Sequence, residues 1–219
     1  TNGLNVEAQL KVINEGGSLS TGTNGGNPAI TVSGADAVTL IFACGTDYKM
    51  ELPNFRGEDP HKAVTARINA AAKKGYEALK ADHVADHDAL FSRVELGFDE
   101  EIPQIPTDEL IKKYRNMIEN NGGDIPTSAE QRALEIMCYQ FGRYLTIAGS
   151  RDGALPTNLQ GVWGEGWFTW YGDYHFNINV QMNYWPTMAS NLSECMKPYN
   201  DLLNVLKQAG RNAAAASFG

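Results

Sequence analysis

Apolar and polar residues alternate along Val6 to Ile13, the period-two pattern of a half-buried β-strand. Asn14-Glu-Gly-Gly17 and Asn24-Gly-Gly-Asn-Pro28 carry turn chemistry, and Ala29 to Val32 and Ala37 to Cys44 predict two further strands. Three strands with open edges do not make a stable domain. Residues 1 to 52 therefore predict the C-terminal strands of a larger β-sandwich.

The spacing then becomes helical. Asp59-Pro60 reads as an N-cap followed by proline at the first helical position, ahead of a helix through Ala63 to Ala72 that stops near Gly75. A second helix follows from Tyr76 to Val94, with apolar positions at Leu79, Val84, Leu90 and Phe91. The stretch from Phe98 to Thr107, with Pro103 and Pro106, reads as a connection, so residues 53 to 106 form a helical linker. Thr107 is expected to cap a helix to about Glu119. Ser128 and Gln131 have capping-box spacing ahead of an apolar helix, Ala129 to Ala148, in which Ala133, Ile136, Met137, Gln140, Tyr144 and Ile147 share a face. Residues 152 to 186 look irregular and aromatic, and Tyr199, Leu202, Leu203, Leu206 and Ala209 mark a last amphipathic helix. The class is α+β, mainly α. Long helices joined by one chemically loaded loop suggest a helical barrel or toroid with its site on the loops.

Composition narrows the ligand. The 219 residues carry a formal net charge of −8, and all four tryptophans (Trp163, Trp167, Trp170, Trp185) fall in one short window. From Asp152 to Met196 there is no Lys or Arg. An anionic ligand needs basic side chains, so nucleic acid is excluded as a partner of this stretch. No apolar run approaches the roughly 20 residues of a membrane span. Three cysteines (Cys44, Cys138, Cys195), far apart and without C-x-x-C spacing, indicate neither a disulfide framework nor a zinc site.

The richest segment is Asp173-Tyr-His-Phe-Asn-Ile-Asn-Val-Gln-Met-Asn-Tyr-Trp185. His175, Asn177, Asn179 and Gln181 alternate with Phe176, Ile178, Val180 and Met182. In an extended chain this puts an imidazole and three amides on one face and four apolar groups on the other. Asn177 and Asn179 would point about 200° apart in a helix, so the pattern predicts extension at least as far as Asn179. Amides offer donors and acceptors without charge, which suits sugar hydroxyls or the positioning of a water and a carboxylate. Indole faces suit stacking on a pyranose. A core strand with satisfied amides is the plainer reading, but four polar residues in register, beside four tryptophans and no base, argue for a carbohydrate cleft. Its candidate lining is His175, Trp163, Trp167, Gln181, Asn183 and Trp185.

Other motifs carry less. His83 and His87 have the spacing of a helical zinc pair, but Val84 stands where the zinc-protease motif needs Glu, and Asp82, Asp86 and Asp88 mark a solvated face. No metal or other cofactor is indicated. The diglycines lack phosphate-loop spacing, and no G-x-S-x-G elbow is present. Asn191-Leu-Ser193 is formally a glycosylation sequon. Glycoside hydrolysis takes two carboxyl groups flanking the scissile bond. Only Glu165 and Asp173 lie inside the tryptophan window, and the sequence leaves open whether either has a catalytic role. The chain starts at Thr1 without an initiator Met and ends on a helical alanine run, which predicts a piece of a longer protein.

Leu155-Pro-Thr-Asn-Leu-Gln-Gly-Val-Trp163, Asp173-Tyr-His-Phe-Asn-Ile-Asn-Val-Gln-Met-Asn-Tyr-Trp-Pro186 and Asn191-Leu-Ser-Glu194 resemble glycoside hydrolase family 95, the inverting α-L-fucosidases. Glu7 to Gly17, Thr46-Asp-Tyr48, Arg56 to Pro60 and the stretch from His83 to Arg93 are similar to that family's sandwich end and linker. The resemblance implies a β-sandwich tail (1–52), a helical linker (53–106) and the first helices of an (α/α)6 barrel (107–219). It also implies a fucosylated glycan as substrate, the rest of the barrel as partner, and a secreted or periplasmic bacterial location. Within the family the two asparagines of Asn-x-Asn, here the catalytic candidates Asn177 and Asn179, hold the general-base aspartate and its water, and a glutamate further along acts as acid. The acid and base then lie in later parts of the barrel, and these 219 residues alone should be inactive. His175 is expected near the C5 substituent of the sugar and favours L-fucose over L-galactose. An α-L-galactosidase on the same scaffold and a non-catalytic carbohydrate-binding or structural fragment are the alternatives. Gly164 to Trp170 departs from the family's commoner polar and proline-containing loop, which bears on linkage preference.

Overall fold

A computed structural model describes residues 3–97, 103–124, 127–164 and 170–219. The fold is α+β, and it divides into two compact units, Thr1–Ala85 and Asp86–Gly219.

The first unit is built on β1 (Val6–Glu15), β2 (Ser18–Asn24), β3 (Asn27–Ser33) and β4 (Ala37–Thr46). β2 and β3 form a hairpin in which Asn24 faces Asn27. Gly25 and Gly26 link them with φ of 58° and 84°. Positive φ at both turn residues is what a two-residue type I′ turn demands, and it matches the twist of the strands. β1 pairs antiparallel with β4 around that hairpin, Val6 opposite Thr46 and Glu15 opposite Ala37. The expected strands are present, and a fourth, β2, joins them. Its sequence, Ser-Leu-Ser-Thr-Gly-Thr-Asn, is exposed throughout and polar apart from Leu19, so no alternation marks it.

One face of the β1–β4 ribbon receives α1 (His61–Lys74), with Ala43, Val64 and Ile68 buried between them. Gln9 donates to Thr65 Oγ1 at 2.8 Å and Lys11 to Asn69 Oδ1 at 2.8 Å, so the polar positions of this face are used as well. Asp59 Oδ1 accepts the His61 N–H at 2.9 Å, the cap expected of Asp59-Pro60. Gly75, with φ of 83°, ends the helix. The opposite face of the ribbon leaves Val6, Leu10, Leu40 and Phe42 exposed.

The boundary between the units falls inside α2 (Tyr76–Phe91). The second unit holds the end of α2, α3 (Thr107–Asn120), α4 (Ala129–Gly149), α5 (Asn179–Ala189), a 3₁₀ turn (Ser193–Met196) and α6 (Lys197–Phe218). Thr107 does not cap α3. Pro106 occupies the cap position without a side-chain bond, because Thr107 has already entered the helix. Ser128 does cap α4, accepting the Gln131 N–H at 3.1 Å. The Gln131 side chain turns to Glu135 instead of closing the box.

The core here contains Leu90, Ile147, Leu192 and Cys195, with Phe91 packed against it. Burial pushes the Cys195 thiol up from its ordinary pKa. Along α4 the buried face runs through Ala133, Arg143 and Ile147, whereas Met137 and Tyr144, expected on it, are exposed beside Phe141. Arg143, 2% exposed, sits among backbone carbonyls. It donates to Leu90 O (3.0 Å) and Phe91 O (2.7 Å) at the end of α2, to Val94 O (3.2 Å) just beyond, and to Ser190 O (3.3 Å) at the end of α5. Gln140 Oε1 accepts at 3.0 Å, and the guanidinium lies 5.2 Å from the centre of the Phe91 ring. Helix C-termini leave carbonyls without intrahelical partners and carry partial negative charge, so one cation satisfies two of them.

Arg143→Met removes the donor to four carbonyls at once. Stability is expected to fall by about 3 kcal/mol or more, since buried acceptors lose a charged partner. Arg143→Lys, a point charge without the planar fork, should recover only part of it. Urea unfolding of the three proteins followed by circular dichroism measures this, and equal midpoints would show that the carbonyls are satisfied otherwise.

Candidate functional site

The segment after α4 folds back onto the helix that precedes it. Gly149 eases this approach: a Cβ there would lie 3.3 Å from Thr157 Cγ2 and 3.4 Å from Val162 Cγ2, a tight fit. Asn158 and Gly161 close a tight turn by exchanging backbone hydrogen bonds of 3.0 and 3.3 Å. Two neighbouring residues of α5 hold this turn. Asn183 Nδ2 donates to Asn158 O at 2.7 Å, and the buried Tyr184 hydroxyl accepts the Thr157 N–H at 2.9 Å.

The Tyr184 hydroxyl also lies 2.9 Å from Ser150 Oγ, which donates to Cys195 O at 2.8 Å. The direction of every bond follows from its ends. A carbonyl only accepts, so the Ser150 proton goes to Cys195. An amide N–H only donates, so Tyr184 accepts from Thr157 and gives its own proton to Ser150. The buried chain is fully satisfied, and the Tyr184 ring stacks on Tyr199 at 5.2 Å.

The period-two segment is not an extended strand to Asn179. His175 lies in irregular chain, Phe176 to Ile178 form a turn, and α5 begins at Asn179. The helix wins because Val180, Tyr184 and Thr187, at spacings of four and three, are its buried face. The alternation of apolar residues disguised that face by placing Ile178, Met182 and Trp185 on the exposed side. His175, Asn177, Asn179 and Gln181 consequently do not share one face.

The amides divide by what they are bonded to. Gln181 Nε2 donates back to Phe176 O at 2.5 Å, and Asn183 is committed to the Asn158 turn. Asn177 and Asn179 are exposed, and no hydrogen bond to the described residues holds either amide. His175 lies beside them in sequence, its ring edge-on to Trp170 at 5.4 Å and its Nε2 3.5 Å from Asp173 Oδ2. Tyr174 donates to Pro156 O at 2.8 Å, which ties this stretch to the same loop.

Trp163 and Asn183 meet in an open pocket of about 190 Å³, together with Leu145, Thr146, Thr157, Gln160 and Gly161. None of these residues is charged. Trp185 is 62% exposed on α5 and lies outside this lining. Trp167 and Glu165 lie outside the described residues. Among the described residues no three His, Cys, Asp or Glu side chains are grouped to hold a metal. Sequence reasoning passed over Ser150, Thr157, Gln160 and Tyr184. The loop entered the reading only through the Leu155 to Trp163 motif of the family resemblance, and nothing local linked Tyr184 to Thr157.

Uncommitted amides and an exposed indole, on a stretch without Lys or Arg, suit proteins that handle neutral, hydroxyl-rich ligands. A family model described as the glycosyl hydrolase family 95 catalytic domain matches residues 75–219. The chain belongs to glycosyl hydrolase family 95, as the motifs indicated. It is 35% identical over 205 residues to the "Probable alpha-fucosidase A" of Aspergillus niger, an alignment covering 90% of this chain and 24% of that protein. It is 32% identical over 221 residues to "Alpha-L-fucosidase 2" of Arabidopsis thaliana, covering 99% of this chain and 25% of that protein. The chain thus spans about a quarter of the length of these relatives.

Tyr184→Phe keeps the stacked ring and removes the hydroxyl that receives the Thr157 amide. The expected cost is about 1–2 kcal/mol, with faster hydrogen exchange at the Thr157 amide than in the wild type. Unchanged exchange at Thr157 would mean that the Asn183 and Tyr174 bonds hold the loop without it.

Proposed function

We propose that this chain is part of an exo-acting α-L-fucosidase that cleaves terminal α-linked L-fucose from glycans with inversion. Residues 1–52 are read as the tail of its β-sandwich, 53–106 as the helical linker and 107–219 as the first part of an (α/α)6 barrel. The observation that carries the reading is the contrast among the amides: Gln181 and Asn183 spend their donors inside the fold, while Asn177 and Asn179 remain exposed and uncommitted at the start of α5. The names of the relatives support the choice of sugar.

Inverting hydrolysis takes one carboxylic acid to protonate the leaving oxygen and one carboxylate to activate water on the opposite face. The chain's own contribution is to hold the second pair. Asn177 and Asn179 donate to the base carboxylate and orient the attacking water, which turns a collision into a positioned step. His175 contacts fucose, and Trp163, Trp167, Gln181, Asn183 and Trp185 shape the cleft. The acid and the base are assigned to the remainder of an enzyme as long as the relatives.

In that full-length enzyme, Asn177→Ala and Asn179→Ala are each expected to lower kcat by about 10²-fold, the cost of misplacing a reacting group. KM should change by only a few fold, because water positioning matters mainly in the transition state. Steady-state kinetics on an aryl α-L-fucoside and an aryl α-L-galactoside give the test. Near-normal kcat in both variants sinks the role of the pair, and a preference for the galactoside sinks the reading of His175.

A further inference from the structure

We propose that the pocket beside Trp163 is a second sugar subsite, taking a neutral pyranose joined to the one handled at Asn177 and Asn179, with Gln160 as the residue that hydrogen-bonds its hydroxyls. The proposal rests on the glycosidase reading above and adds a residue and a substrate segment to it.

Gln160 stands on a braced turn. Its own N–H donates to Asn158 Oδ1 at 2.8 Å, and Asn183 holds the Asn158 carbonyl from below. A side chain on such a base is presented in a fixed place. Its chemistry is nonetheless unspent: Gln160 Oε1 is buried and has no hydrogen-bond partner among the described residues. An unpaired buried amide oxygen is costly, and a native fold that keeps one needs a reason. The terminal amide torsion is soft, so a small rotation brings either the oxygen or the NH₂ to a hydroxyl that can donate or accept.

The surroundings define the class of ligand. The Trp163 indole, 54% exposed, offers a flat apolar surface next to that amide, the pairing that a sugar ring's apolar face and hydroxyl rim require. Among the described residues the lining carries no charge, which disfavours phosphate and sulfate. At about 190 Å³ the pocket is smaller than the roughly 300 Å³ at which whole-ligand cavities begin. It is a place for one ring, not for a whole oligosaccharide. Asn183 lies one helical turn beyond Asn179, about 6 Å along the axis of α5. That is the scale of the step from one sugar to the next, so in an exo-acting enzyme the pocket receives the sugar released with the leaving group.

Two measurements on the full-length enzyme test this. The first compares KM for 2′-fucosyllactose and for p-nitrophenyl α-L-fucoside in the wild type and in Gln160→Leu. The expected result is a rise in KM for the oligosaccharide at least fivefold larger than the rise for the aryl glycoside, with Trp163→Ala moving in the same direction. Equal shifts for both substrates, or none, overturn the subsite. The second is saturation-transfer NMR with lactose alone, which reads the subsite without hydrolysis. A lactose signal that is strong in the wild type and absent in Gln160→Leu supports it, and an equal signal in both proteins rejects it. If Gln160→Leu fails to fold, Gln160→Glu keeps the shape and replaces the donor by a charge, and the same two readouts apply. A wild-type enzyme that cleaves neither fucoside yet binds lactose through Gln160 would refute the fucosidase reading and leave the subsite standing.

Discussion

The Arg143 guanidinium holds the second unit together. A cation buried in an apolar helix face is expensive unless its donors are used, and here the carbonyl ends of two helices use them. Carbonyls at both helix ends share this one donor group. The contact therefore fixes where α2 stops, where α5 stops, and which face of α4 lies between them. Phe91 adds its ring face to the cation and its side chain to the core of Leu90, Ile147, Leu192 and Cys195.

From this clamp the site inherits its order. Arg143 fixes the C-terminal end of α5, Tyr184 and Asn183 use the middle of the helix to brace the loop from Pro156 to Trp163, and the N-terminal end presents Asn177 and Asn179. One helix of three turns thus carries three jobs in succession. The buried hydrogen-bond chain from Thr157 through Tyr184 and Ser150 to Cys195 leaves one consistent set of proton directions, and it ties the loop to α5 and to the 3₁₀ turn. Bracing of this kind suits the positioning role proposed for Asn177 and Asn179.

Much of this was legible in the sequence where the signal is local. The caps at Asp59 and Ser128, the diglycine turn and the long apolar helix α4 each follow from a few adjacent residues. The motif around Asp173 to Trp185 identified the family. What escaped reading depends on distant partners. β2 is polar on both faces and is a strand only because β3 pairs with it. In α5 two periods coexist, and burial of Val180, Tyr184 and Thr187 decides between them. Arg143 carried no signal in the sequence, because its partners are carbonyls about 50 residues away in both directions.

The ribbon of the first unit is nested: the β2–β3 hairpin lies inside the β1–β4 pair, with a two-residue turn at its centre. Closing β1 on β4 directly would require bringing together residues from Glu15 and Ala37 outward across a long flexible loop, whose entropy grows with its length. The hairpin removes most of that loop before the outer strands meet. Pairing can run from Asn24 and Asn27 outward, each step short in effective separation, which is the arrangement that speeds β-sheet folding. A strand with no buried side chain of its own, β2, thereby contributes to the rate at which the unit assembles more than to the core it leaves behind.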